Sequence, residues 1–379
     1  MNTLLLAITA AALVVLVALM LRPVHRETDE QPKEDARISP LLRGINFLLS
    51  DEPDRALQEM VQVARLRSEA ADVYMALGEM FRAKGEIGRA VRIHQNLLAR
   101  PDLPKSMYLQ AHLALATDFQ TGGLLDRALR QYQKALDLQP DHTGAIEACL
   151  RIRELSSEWV EAEELLTRLE QVRAASYSSH RAYLFAEMAS SCRDNKDLAG
   201  ARQYAARALE LDPACAPARM VEIESALKRG SSKKLEASIR MFWELSREHF
   251  PLLVPMLIRH QSFYEKQGKD LLLEFWQASK DSELLLAWLQ TLVELQGREG
   301  AAAFARELDY QPDSLRSSLR LAALIGEDDD AHSRFAKAWR KTAKNYACEA
   351  CGVEVVEMRW QCPQCHAWGS MHPKREETI

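Results

Sequence analysis

Residues 109–142 read LQAHLALATDFQTGGLLDRALRQYQKALDLQPDH, and this stretch decides the fold. Counted from Leu109 as position 1, Ala116, Phe119, Gly123, Ala128, Tyr132, Ala135 and Pro140 occupy positions 8, 11, 15, 20, 24, 27 and 32. Small residues at 8 and 20 let two antiparallel helices close together, while the large residues fill the gap to the neighbouring pair. This spacing is that of the 34-residue tetratricopeptide (TPR) unit.

The same spacing recurs on both sides. Upstream, Leu77-Gly-Glu-Met-Phe-Arg-Ala-Lys-Gly-Glu-Ile-Gly-Arg-Ala90 matches helix A, the turn and the start of helix B; Gly44 and Ala56 stand one full repeat before Gly78 and Ala90. Downstream, Ala162 stands one full repeat after Ala128, with Leu150 at position 8, and Ala189, Ala201, Ala208 and Pro213 mark a fifth unit. The steps from Gly78 to Ala116 and from Ala162 to Ala201 slightly exceed the repeat, which places small insertions near 100–107 and 171–178. A single unit cannot bury its apolar face, so an all-α TPR superhelix (a solenoid) is expected over 38–215. Residues 216–340 keep helical periodicity with blurred signatures. They are expected to form divergent TPR-like pairs, with turns at Gly230, Gly268, Gly297 and Gly326. Trp243, Phe275, Trp276 and Trp288 are expected in the core.

In such arrays the A helices line the face that holds a peptide or protein. The inward positions 2, 5, 9 and 12 are Asp72, Met75, Glu79 and Arg82 in the second unit and Gln110, Leu113, Thr117 and Gln120 in the third. In the fifth they are Tyr183, Ala186, Ser190 and Arg193. From these we take Asp72, Met75, Glu79, Arg82, Gln110, Thr117 and Gln120 as candidate partner-binding residues. The face is mixed polar and lacks the basic concentration of a clamp for an acidic peptide terminus.

Toward the C-terminus Cys348, Cys351, Cys362 and Cys365 form two Cys-x-x-Cys pairs in one short window. Four thiolates at this spacing suit one tetrahedral ion in a closed structural site, with no position left for substrate. Gly352 and Pro363 fit the tight turns. Zinc is the first choice; iron makes the same tetrahedral demand. His366 and His372 are near enough to substitute for a cysteine ligand. Residues 352–360 alternate in polarity and predict a hairpin strand between the knuckles. Tyr346, Trp360 and Trp368 are expected to cover the metal in a module spanning 341–379.

At the other end, residues 3–21 (TLLLAITAAALVVLVALML) hold 19 positions without a charge, Gly or Pro. About 20 helical residues span a bilayer core, so 1–21 reads as a transmembrane anchor. No Lys or Arg precedes the run and no small-x-small cleavage site follows it. Arg22 and Arg26 keep that flank cytoplasmic, with the N-terminus periplasmic. Residues 22–37 read as a charged juxtamembrane linker.

The net charge of −5 gives no reason to expect a nucleic-acid partner. No phosphate loop, His-Glu-x-x-His or nucleophile elbow occurs, and no enzymatic activity is expected. Cys149, Cys192 and Cys215 read as small buried residues. The acidic stretches Glu163-Glu164 and 327–330 read as solvated charge.

An N-terminal anchor, a TPR array and the pattern Cys348-x-x-Cys351-Gly352…Trp360-x-Cys362-Pro363-x-Cys365-x-Ala367-Trp368 resemble the LapB (YciM) family of lipopolysaccharide assembly proteins. Arg43-Gly-Ile-Asn-Phe-Leu-Leu49 and Phe81–Gln95 are similar too. The resemblance implies a single-pass protein of the bacterial inner membrane with a cytoplasmic body. It implies an adaptor that promotes degradation of the deacetylase LpxC by the protease FtsH, opposed by YejM (PbgA). It also implies that the four cysteines hold the metal of a rubredoxin-like domain. Only ten residues separate the knuckles, far fewer than in the electron carrier, which favours a docking role over a redox one. A scaffold for lipopolysaccharide synthesis and export proteins is the alternative reading, and a homodimer stays open.

Overall fold

The computed structural model describes residues 70–374, apart from 102, 231, 313 and 327–330, together with scattered positions between 43 and 59. The apolar run 3–21, the linker 22–37 and the acidic run 327–330 lie outside the described residues. Among the described residues no helix is long and apolar enough to cross a membrane. Contacts divide the chain into two units, Met1–Gly123 and Leu124–Ile379.

In the first unit, α1 (Ala70–Ala83), α2 (Ile87–Leu98) and α3 (Lys105–Thr121) pack around Tyr74, Leu77, Phe81, Ile93 and Leu97. Gly85, at φ 80°, turns the chain between α1 and α2 in a conformation that disfavours other residues. Gly78 answers a different need. A Cβ at that position would lie 2.2 Å from His94 Nε2, so only glycine lets α1 lie against the imidazole. His94 is fully buried and donates from Nδ1 to Asp118 Oδ2 at 2.5 Å, while Arg82 donates to Asp118 Oδ1 at 2.8 Å. A buried carboxylate is tolerated only with such partners.

The second unit opens with α4 (Leu125–Leu138), α5 (Thr143–Leu155), α6 (Trp159–Arg173), α7 (Ser178–Asp194) and α8 (Leu198–Leu211). The small positions read from the period, Ala128, Ala135, Ala162, Ala189, Ala201 and Ala208, are all buried. His142 caps α5 by accepting from the Ala145 amide, and Asp197 caps α8 by accepting from Ala199 and Gly200. The inserted residues fall between helices, at 99–104 and 174–177.

Next come α9 (Ala216–Arg229), α10 (Ser232–Leu245), a 3-10 turn (Arg247–Leu252) and α11 (Val254–Arg259). A short helical segment, Gln261–Phe263, runs through a π-helical stretch, Tyr264–Gly268, into α12 (Lys269–Ser279). Then follow α13 (Ser282–Glu307), α14 (Leu315–Ile325) and α15 (Ala331–Thr342). Phe242, Phe250, Phe275, Trp276 and Trp288 are buried in one core, and Trp243 stacks on Phe275 with centroids 4.7 Å apart. Gly230 takes positive φ where α9 ends, and Gly297 takes it at a kink that interrupts α13. Gly268 does not mark a turn. It is buried within continuous helix, where a Cβ would lie 2.9 Å from the Phe263 ring, so close packing explains the glycine.

The chain ends in a three-stranded antiparallel sheet ordered β2-β1-β3, from β1 (Tyr346–Cys348), β2 (Glu354–Val355) and β3 (Met371–Pro373). Ala347 pairs with Glu354 and Cys348 with Met371. The strand expected over 352–360 shrinks to Glu354–Val355, because β1 offers it only two residues of register; β3, absent from the sequence reading, covers the other edge of β1.

Candidate metal centre

The two knuckles are the same local structure built twice. The Gly352 amide donates to the Cys348 carbonyl at 2.8 Å, and the His366 amide donates to the Cys362 carbonyl at 3.0 Å. Both residues following the second cysteine take the left-handed conformation, Gly352 at φ 75° and His366 at φ 60°. His366 is therefore a turn residue and is not among the donors that gather around the sulfurs. His372 also lies elsewhere, paired with Glu248.

The four sulfurs lie within 4.8 Å of one another. Cys348 Sγ is 3.6 Å from Cys365 Sγ, and Cys351 Sγ is 3.7 Å from Cys362 Sγ. Sulfurs around a tetrahedral ion with Zn–S near 2.3 Å are spaced about 3.8 Å apart, so the cage fits. The amides of Gln364 and Cys365 point at Cys362 Sγ at 3.4 and 3.5 Å, the kind of donation that stabilises thiolate. Burial raises the Cys348 pKa. The Ser370 hydroxyl and the Cys351 and Ala350 amides outweigh it and bring the thiol down to about 6. At Cys365 the Ala367 amide works downward, yet burial and the neighbouring thiols push the group up to about 12. Four thiols this close cannot all ionise without a cation among them, which is the chemistry of a thiolate-bound metal.

The metal end of the module has a small core of its own, in which Tyr346, Val353, Val355 and Met358 pack around Cys348, Cys362 and Met371. The tryptophans do not join it. Trp368 stacks on Tyr183 of α7 (centroids 5.6 Å, planes 23° apart) and meets Trp159 of α6 edge-on. Trp360 lies against His249, with centroids 5.2 Å apart. The expectation that both cover the metal is thus corrected: their large faces are buried against the helices, which offer more apolar surface than a module this small. Gly369, at φ 63°, brings the backbone against Tyr183, where a Cβ would fall 2.3 Å from the hydroxyl. Glu154 of α5, whose side chain is 4% exposed, accepts from the Gln361 amide at 2.8 Å and from the Trp368 indole at 3.1 Å. His249 is buried, which lowers its pKa, and its Nε2 donates to the Met371 carbonyl at 3.1 Å.

A family model described as a rubredoxin metal binding domain matches residues 346–373. Over 377 residues the chain is 25% identical to lipopolysaccharide assembly protein B of Escherichia coli strain K12, with 92% of this chain and 94% of that protein covered. Over 350 residues it is 25% identical to lipopolysaccharide assembly protein B of Haemophilus influenzae strain Rd, with coverage of 87% and 88%. The chain is similar to the LapB family along nearly its whole length. Among solved structures, Pseudomonas aeruginosa pilF is 20% identical, with a TM-score of 0.32 over 60% of this chain and 98% of that one.

The residues that seat the LapB-like module were not legible in advance. Glu154, Tyr183, His249 and Gly369 carry no motif; the only signal was an acidic residue among apolar positions of a helix. Tyr183 and Ala186, counted as inward-facing, are buried, Tyr183 beneath Trp368. Of the candidate partner-binding residues, Asp72, Glu79 and Gln110 are exposed, and Met75, Thr117 and Gln120 are half-buried. Arg82 is committed to Asp118. Glu163, read as solvated charge, pairs with Arg181 at 3.0 Å.

Proposed function

We propose that this chain is a non-enzymatic adaptor of lipopolysaccharide assembly, anchored in the inner membrane by residues 1–21 with its helical body in the cytoplasm. The observation behind the reading is the 25% identity to lipopolysaccharide assembly protein B across 92% of the chain. Within it, the adaptor brings LpxC to FtsH for degradation and is opposed by YejM (PbgA). Tethering to the bilayer raises the effective concentration of bound cargo near a membrane protease. Helix pairs supply extended faces for protein contact, including the exposed Asp72, Glu79 and Gln110.

Zinc is the ion proposed at Cys348, Cys351, Cys362 and Cys365. It suits a closed four-sulfur structural site and has no redox chemistry to perform. It would hold the two knuckles together, and so hold Trp360 and Trp368 against the helices. A colourless preparation with one zinc per chain is expected there; a red, iron-loaded one would favour iron.

The deciding experiment measures LpxC half-life in cells carrying the full chain, a chain lacking residues 1–21, or neither. The adaptor reading expects LpxC to be short-lived only with the full chain. A half-life indifferent to all three replaces it with a scaffold for lipopolysaccharide synthesis and export proteins.

A further inference from the structure

A second cluster of donors lies where the Arg247–Leu252 turn meets β3. His372 Nδ1 is 2.8 Å from Glu248 Oε1, and His249 Nδ1 is 3.8 Å from the same oxygen. The other nitrogens differ: His249 Nε2 donates to the Met371 carbonyl at 3.1 Å, while His372 Nε2 lies 3.2 Å from Glu349 Oε2 without making a hydrogen bond to it. An imidazole fixed on an oxygen through one nitrogen, as His249 is, keeps the other lone pair for a metal, and ligating histidines almost always have this outer partner. Donors around a four-coordinate zinc, with bonds near 2.1 Å, are spaced about 3.4 Å apart, and the two separations fall on either side of that value. One donor atom from each of Glu248, His249 and His372 lies within 4.8 Å of the others.

We propose that Glu248, His249 and His372 form a second metal site, distinct from the four-cysteine cage, that takes a divalent ion of the zinc class. Two imidazoles and a carboxylate suit such ions better than magnesium or calcium, which prefer oxygen. The fourth coordination position is left to water or to a partner's side chain. Glu349, whose side chain is 80% exposed and whose Oε2 is 3.2 Å from His372 Nε2, would close onto that nitrogen as the outer carboxylate once the ion is bound. Because the ligands come from the turn after α10 and from β3, the ion clamps the rubredoxin-like module to the helices and makes that docking responsive to metal supply. It binds more weakly than the thiolate cage, having fewer and harder ligands.

The test uses the full chain in detergent, free of affinity tags and carrying one zinc in the cysteine cage. Zinc chloride is added by equilibrium dialysis, and bound metal is counted by mass spectrometry. The wild type is expected to take a second equivalent. His372→Gln and Glu248→Gln should each weaken it by at least tenfold while the first zinc stays, and Glu349→Gln by about tenfold. Glu349→Gln alters an exposed side chain, so its reading does not depend on a disturbed fold. Cobalt in the second site should give only weak d–d absorption, without a thiolate charge-transfer band. A wild type that stops at one equivalent overturns the proposal. So does a second equivalent held equally by wild type, His372→Gln and Glu248→Gln, or a second cobalt that shows the thiolate band.

Discussion

The indole Nε1 of Trp368 donates to Glu154 Oε1 at 3.1 Å, although 214 residues separate the two in the chain. The same oxygen faces His180 Nε2 at 2.5 Å, and its partner oxygen takes the Gln361 amide. A carboxylate this deeply buried needs its donors, and two of the three come from the metal module. Helix α5 is therefore completed by residues from the far end of the protein.

Trp368→Ala removes both the stack on Tyr183 and the hydrogen bond to Glu154. The ring is only half-buried, so the expected cost is about 2 kcal/mol, below the roughly 3–5 kcal/mol typical of a fully buried tryptophan. Amide exchange at 360–373 should rise by about 30-fold while α1 and α2 keep their protection. Unchanged exchange in the module would show that the docking does not depend on this side chain.

Gly78→Ala places a methyl where His94 now lies, 2.2 Å from its Nε2. Overpacking of this kind costs about 1–3 kcal/mol. Thermal unfolding should show the loss. Combined with His94→Ala, it should destabilise by less than the sum of the two single changes, since the clash has gone. Strict additivity would exclude the contact as the cause.

Chelation, or Cys362→Ser, should unfold the module and leave the helices. Folding of so small a core is tied to its ion. The expected signature is a far-ultraviolet spectrum that stays helical together with new protease cleavage between 343 and 374. Resistance to cleavage after complete metal removal would contradict it.

Alkaline pH should weaken the second unit. Burial pushes the Cys215 thiol up to about 12 from an ordinary value near 9. Between those values the unfolded chain sheds a proton that the folded chain keeps. Stability from this group is therefore complete below pH 9 and lost as pH rises toward 12, at up to about 1.4 kcal/mol per unit. Cys149, raised to about 11, and Tyr183, raised by burial, act in the same direction. Cys215→Ala should flatten the urea-midpoint profile above pH 9; an identical slope would show that the loss does not come from this thiol.

What the sequence made legible follows from where the information lies. Ala128, Ala162 and Ala201 recur because helix pairs repeat one packing problem, and Cys348 through Cys365 sit close enough for their spacing to imply a common centre. Gly268 was misread because a glycine serving a close ring contact looks the same as one serving a turn. The direction of Trp368, and the pairing of His372 with Glu248, depend on surfaces brought together from distant parts of the chain. No local pattern encodes those.

The distance between Glu154 and Trp368 also sets an order of events on the ribosome. At about 5–20 residues per second, synthesis of the intervening chain takes on the order of 10–40 s. Through that interval the nascent protein displays Trp159 and Tyr183 without their cover and Glu154 without two of its donors. Every unfinished or prematurely released copy is left in that state, so this patch distinguishes a completed molecule from a truncated one.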